Sequence, residues 1–266
     1  MVGALLATAA FAGTAPAQAA AIHDAGLFTN VLARNDDGST GSIGLGFTIN
    51  FFGNSFSNTF VNNNGNVTFT GPLGTFTPFN LLTTGTPMLA PFFADVDTRN
   101  GASDVVRYGT GMIGGRNVFG VNWINVGYFP SAADKLNSFQ LIITDRSDTG
   151  AGNFDFQFNY DDINWETGSA SGGSGGLGGS SARAGWSNGV AAAFELPGSA
   201  VNGALLDTGA NALIASSLDS NILGQYNWQV RNGTVQPPNR TPEPGTLALL
   251  ALGLLGAGAI RRKAVR

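Results

Sequence analysis

The run Asn153-Phe154-Asp155-Phe156-Gln157-Phe158-Asn159-Tyr160 decides the fold class. Aromatic residues take every second position and polar residues fill the positions between. Successive side chains of a β-strand point to opposite faces. This run therefore predicts a half-buried strand with Phe154, Phe156, Phe158 and Tyr160 packed inward, and Asp155, Gln157 and Asn159 facing water. The same alternation recurs at Gly46-Phe47-Thr48-Ile49-Asn50-Phe51, at Phe119, Val121 and Trp123, and at Phe139, Leu141 and Ile143. Asn64-Gly65, between Phe60-Val61 and Val67-Thr68-Phe69, reads as a hairpin turn needing positive φ. Gly114-Gly115 reads likewise before the strand at Asn117. No helical period competes outside the two ends. The expected fold is all-β, an antiparallel β-sandwich.

Composition narrows the function. The chain has 266 residues and no cysteine, so disulfide and thiolate chemistry are excluded. Its 19 phenylalanines supply much of the apolar surface a core needs. The body from His23 to Arg240 carries 9 basic and 16 acidic residues, a net charge of −7. That balance argues against nucleic-acid binding, which draws most of its affinity from Lys and Arg on phosphate. Gly168 to Ser181 is almost entirely Gly, Ser and Ala, and offers too little apolar surface to offset ordering entropy. It is expected to be a flexible loop rather than a boundary, because Asn164-Trp165-Glu166 before it and Ala182 to Trp186 after it look like core strands. Residues 22–234 read as one β domain, and 235–240, with Pro237-Pro238, as an extended linker.

Both ends read as sorting elements. Val2 to Ala21 is small and apolar, and Ala17-Gln18-Ala19 fits the cleavage pattern of an exported precursor, so residues 1–21 are expected to be a signal segment. No Lys or Arg precedes the apolar stretch; Gly13 and Pro16 argue against reading it as a membrane helix instead. At the other end Pro242-Glu243-Pro244 precedes the uncharged run 245–260 and the basic cluster Arg261-Arg262-Lys263. As a helix that run spans roughly 24 Å, a little under the ~30 Å hydrocarbon core, and the flanking cations can reach the interface. One membrane pass is feasible.

The order Pro-Glu-Pro, apolar helix, basic end resembles the PEP-CTERM sorting signal of Gram-negative surface proteins, here covering residues 241–266. The resemblance implies an exosortase-type enzyme that recognises Pro242, Glu243 and Pro244 in the inner membrane and removes the helix. The body resembles the nidogen-like extracellular (NIDO) domain. The matching pieces include Phe60-Val61-Asn62-Asn63-Asn64-Gly65-Asn66, Met88 to Arg99, Asp134 to Asp145, Ile163-Asn164-Trp165, Ala184-Gly185-Trp186 and Asn227-Trp228-Gln229-Val230, with the core of the likeness at 88–233. That family occurs in extracellular matrix and cell-surface proteins, is linked to cell–matrix adhesion, and brings no catalytic residues.

The residues offer three other chemistries. Asp95 and Asp97 alternate on a strand end and, with Asp104, could supply oxygen ligands to Ca²⁺. The competing reading, which we favour, has Arg99 pair with one carboxylate while the other caps a turn. Asp161, Asp162 and Glu166 could form a glycosidase pair, but such a pair needs a cleft and split pKa values. An adjacent acidic doublet after an aromatic strand reads better as solvated. His23 is the single histidine and falls beside the expected cleavage point, in an expected disordered stretch, so neither a Ser-His-Asp triad nor a multi-histidine metal site is expected. Trp123, Trp165, Trp186 and Trp228 read as core, not as sugar-stacking platforms. The expected protein is therefore exported, surface-sorted and non-enzymatic, uses no cofactor, and acts in adhesion or in an exopolysaccharide matrix. A lectin-like carbohydrate-binding module is the alternative, and a glycoside hydrolase the remote one.

Overall fold

The structure is a computed structural model and describes residues 21–238. The expected signal segment up to residue 20, and the tail 241–266 with the helix expected over 245–260, lie outside the described residues. Along the described chain run β1 Asn30–Val31, β2 Ile43–Phe51, β3 Asn54–Asn62, β4 Asn66–Thr68, β5 Pro87–Phe93, β6 Arg107–Ile113 and β7 Arg116–Tyr128. Then come β8 Ala132–Asp145, β9 Phe154–Asp162, β10 Arg183–Asn188, β11 Ala193–Glu195, β12 Gln225–Arg231 and β13 Thr234–Val235.

These strands form two antiparallel sheets. One has the order β1-β6-β7-β8-β9-β12-β13 and the other β11-β10-β5-β4-β3-β2. The inward side chains of β9 lie between two apolar rows: Phe156 is opposite Ile143 of β8 and Trp228 of β12, and Phe158 opposite Leu141 and Tyr226. The Phe156 and Trp228 rings stack at 4.9 Å. Across the sandwich Phe51 of β2 meets Phe154 at 6.0 Å, and Phe92 of β5 meets Phe139 at 5.3 Å. All four tryptophans are buried here. The antiparallel sandwich is as the alternation predicts.

The turns follow their glycines. Gly114 and Gly115 both take positive φ between β6 and β7. Gly65, at φ +72°, ends the turn between β3 and β4 so close to the next sheet strand that a Cβ would lie 1.8 Å from the Phe92 carbonyl oxygen. Only glycine lets those backbones approach.

Five expectations need correction. Asn159 is not turned to water; it is fully buried, as are Asn122 and Gln140 beside it. Their sheet face is covered by the segment from His23 to Phe28. Gln140 Nε2 donates to Asn122 Oδ1 (2.8 Å), Asn159 Nδ2 to Gln140 Oε1 (3.0 Å), and Gln157 Nε2 to Asn227 Oδ1 (2.6 Å). The polar positions of β7, β8, β9 and β12 thus pair with one another beneath the amino-terminal segment. His23, expected in disorder, is part of that cover: its backbone N–H donates to Gln140 Oε1 (3.0 Å), and its Nε2 lies 2.7 Å from Gln157 Oε1.

The Gly/Ser stretch 168–181 is folded, too. Gly173 N–H donates to the Gly168 carbonyl, Ser174 N–H to Leu177, and Ser180 N–H to Ser171. The Gly176 carbonyl accepts from both Glu166 and Thr167. Backbone amides hold it where apolar side chains cannot. Asn164-Trp165-Glu166 is not a strand: Trp165 and Glu166 are fully buried just after β9 ends, and Asn164 is exposed. Val235, placed in the linker by sequence, pairs with Val230, and Gln236 N–H still donates to the Gln229 carbonyl.

Candidate functional site

Three segments remote in sequence meet at one corner of the sandwich. Asp95 lies two residues beyond β5, Asn63 and Asn64 open the turn between β3 and β4, and Asp36 and Asp37 belong to the connection between β1 and β2. Asn63 clamps the corner: its Nδ2 donates to the carbonyls of Asp36 (2.5 Å) and Val96 (2.6 Å), and its own carbonyl accepts from Trp123 Nε1 (3.0 Å). One carboxylate oxygen from each of Asp36, Asp37 and Asp95 lies within 4.8 Å of the other two. Asn64 Nδ2 donates to Asp37 Oδ1 at 2.9 Å.

The electrostatics of this corner are unbalanced. Arg99 is the cation that faces it, 2.9 Å from Asp36 Oδ2 and paired with Asp97 as well. Burial first, then the charges of Asp36, Asp37 and Asp97, push Asp95 up to about 7. Burial, with Asp97 and Asp37, pushes Asp36 up to about 6. At Asp97 burial also opposes the charge, but hydrogen bonds from Arg99 and Ser131 outweigh it and hold the carboxyl below its ordinary value.

The candidates read from sequence separate. Asp97 is occupied by Arg99, through both its backbone N–H and its Nε at 2.9 Å, and by the Ser131 N–H at 2.7 Å. Asp104 is exposed and faces Asn125, whose Nδ2 is 3.4 Å away. The structure groups Asp95 with Asp36 and Asp37 instead. Sequence reasoning missed those two; their only local trace is an acidic doublet some 60 positions upstream. Asp161 and Asp162 are exposed at the end of β9, whereas Glu166 is buried and accepts from the backbone of Gly203 (2.6 Å) and Leu205 (2.7 Å). Asn66, in a glycosylation-type triplet, is fully buried.

The nidogen-like domain family matches residues 57–112 and 107–232. The chain belongs to that family. The PEP-CTERM protein-sorting motif matches residues 240–263, which include Pro242, Glu243, Pro244, Arg261, Arg262 and Lys263. A nidogen-like domain joined to this motif marks an exported, extracellular protein. Alpha-tectorin of Mus musculus is 34% identical over 229 residues, covering 77% of this chain and 10% of the relative. Alpha-tectorin of Homo sapiens is 33% identical over the same length and coverage. Nidogen of Drosophila melanogaster is 29% identical over 177 residues, 56% of this chain and 12% of the relative. The chain thus spans about a tenth of the length of these curated relatives. No solved structure matches it. Asp36 and Asp37 precede the stretch that the family matches, so the acidic corner joins a nidogen-like residue, Asp95, to a segment outside the match.

Proposed function

We propose that this nidogen-like domain is an adhesive module of a bacterial cell surface or of its exopolysaccharide matrix, delivered there by its carboxyl-terminal motif. The observation that carries the reading is the pairing of the two family matches in one chain: an extracellular adhesion-type domain, and a motif for surface sorting. The precursor is held in the inner membrane of a Gram-negative cell by helix 245–260. An exosortase-type enzyme reads Pro242-Glu243-Pro244 and releases the domain. The module is non-enzymatic on this reading, because the carboxylates that sequence offers for hydrolysis are divided between solvent, at Asp161 and Asp162, and interior backbone amides, at Glu166.

A carbohydrate ligand is the second reading. A cleft of about 300 Å³ on the outer sheet face is bounded by His23, Asp155, Gln157, Asn227 and Trp228, and its amides suit sugar hydroxyls. One experiment tests both. The processed protein is applied to a glycan array and to matrix from cells of the producing strain. Retention on matrix protein with a blank glycan array supports adhesion through protein. Glycan binding that is lost in Q157A/N227A supports the cleft. Hydrolysis of polysaccharide, abolished in D161N/D162N, would refute the non-enzymatic reading.

A further inference from the structure

We propose that Asp36, Asp37 and Asp95, with Asn64, form a calcium site that pins the amino-terminal connection to the β3–β4 turn and the end of β5. The group is more than an acidic surface cluster. Asp95 and Asn64 are each 1% exposed, and Asp95 Oδ2 and Asn64 Oδ1 have no hydrogen-bond partner among the described residues. Asp36 Oδ1 is likewise buried and unpartnered, although its other oxygen is held by Arg99. The Asn64 amide lies against the group, since its nitrogen already holds Asp37. Buried oxygens without donors are costly, and this corner holds one from each of three segments.

The donor chemistry selects the ion. Calcium takes oxygen ligands at about 2.4 Å, so two ligands on opposite sides of it lie about 4.8 Å apart. One oxygen of each of the three carboxylates lies within 4.8 Å of the other two, a spread that calcium's flexible coordination can gather. Magnesium, at about 2.1 Å, demands near-octahedral order and gives up its water reluctantly. The donors are carboxylate and amide oxygen only, with no imidazole or thiolate, which disfavours zinc and copper. Arg99 offsets one of the two charges of Asp36 and Asp97, and the remaining one, with those of Asp37 and Asp95, leaves an acidic excess that a divalent cation would reduce. The ion would bind weakly, in the range of about 0.1–1 mM usual for extracellular modules, because the site has few charged ligands and open positions left to water.

The test uses the full-length chain in detergent, stripped with a chelator and then titrated with calcium chloride in a calorimeter. Terbium supplies a second readout. It takes calcium's ligands, and Trp123, tied to Asn63, is placed to sensitise its emission. The expected result is one calcium per chain, terbium emission that calcium displaces, and a higher Tm with calcium than with magnesium. D36N/D37N and D95N are expected to weaken calcium binding about tenfold or more, since affinity follows ligand charge. D104N is expected to leave it unchanged. If the multiple variants fail to fold, D37N alone carries the comparison. No heat and no terbium emission from the wild-type chain would overturn the proposal. Wild-type affinity in D37N and D95N, or an equal loss in D104N, would overturn it as well.

Discussion

The ring of Phe28 lies directly on the backbone of Gly120: a Cβ built at Gly120 would sit 2.0 Å from Phe28 Cε2. Phe28 is buried with Val118 and Ile142 on the outer face of the seven-stranded sheet, with Leu27 and Ile113 packed around them. F28A is expected to cost about 3 kcal/mol, the usual loss for a fully buried phenylalanine. G120A is expected to cost about 1–3 kcal/mol by overpacking. In the double variant the alanine methyl occupies space the ring has left, so the combined loss should fall short of the sum. Urea unfolding of the four proteins measures this, and additive losses would mean that the two residues are not in contact.

Glu166 gives a pH dependence with a defined sign. Burial raises its pKa, partly countered by the amides of Leu205 and Gly203 and by Ser181. A carboxyl raised on folding contributes stability below its unfolded value of about 4.5 and loses that contribution as pH rises through the folded pKa. The stability difference between wild type and E166Q should therefore be larger at acid pH than at pH above neutral, with wild type gaining on acidification. Denaturant midpoints at both pH values check the sign. A difference that grows with rising pH would contradict it.

Arg183 and Glu195 form a mostly buried ion pair at 2.8 Å that ties β10 to β11, and Glu195 Oε1 also accepts the Leu81 N–H. E195A leaves both donors unpaired and should cost about 3 kcal/mol, the usual price of stranding one half of a buried pair. E195Q keeps one acceptor and should cost less. Thermal unfolding of the two variants ranks them.

The sorting proposal predicts a processed terminus. Pro242 and Pro244 lack backbone donors and fix φ, which favours an extended segment that presents Glu243 to a processing enzyme. Replacing Pro242-Glu243-Pro244 with alanines should leave a full-length, membrane-retained chain, while the native surface form should lack residues 245–266. Mass spectrometry of the surface form decides. A native chain that still ends at Arg266 in cells with an intact exosortase would reduce the tail to an anchor.

What the sequence revealed was local, and what it hid was non-local. Phe154 to Tyr160 announces its strand because burial on one face repeats every two residues. Asn159 sits on the other face, and nothing in its neighbourhood says that His23 will come back onto the Gln140 and Gln157 amides beside it. Gly168 to Ser181 looked unable to order because apolar surface was the quantity weighed, whereas its order comes from backbone amides turning through left-handed glycines at 172, 175, 176, 178 and 179. At the acidic corner, Asp95 was legible as a carboxylate on a strand end. Asp97 next to it is spent on Arg99, and the partners that do join Asp95 arrive from a connection whose position only the folded sandwich sets.

The amino-terminal cover has a consequence for the order of assembly. A chain emerges from its amino end, yet His23 finds its partners 117 and 134 residues later, at Gln140 and Gln157. The first described segment to appear is therefore among the last that can be seated: Leu27 and Phe28 must wait until β6, β7 and β8 have paired, and His23 until β8 and β9 have. Its docking requires that β6 to β9 have already paired. In pulse-labelled hydrogen exchange during refolding, the amides of β7 and β8 should gain protection before the Leu32 N–H, which is held by the Val106 carbonyl at the end of that strap.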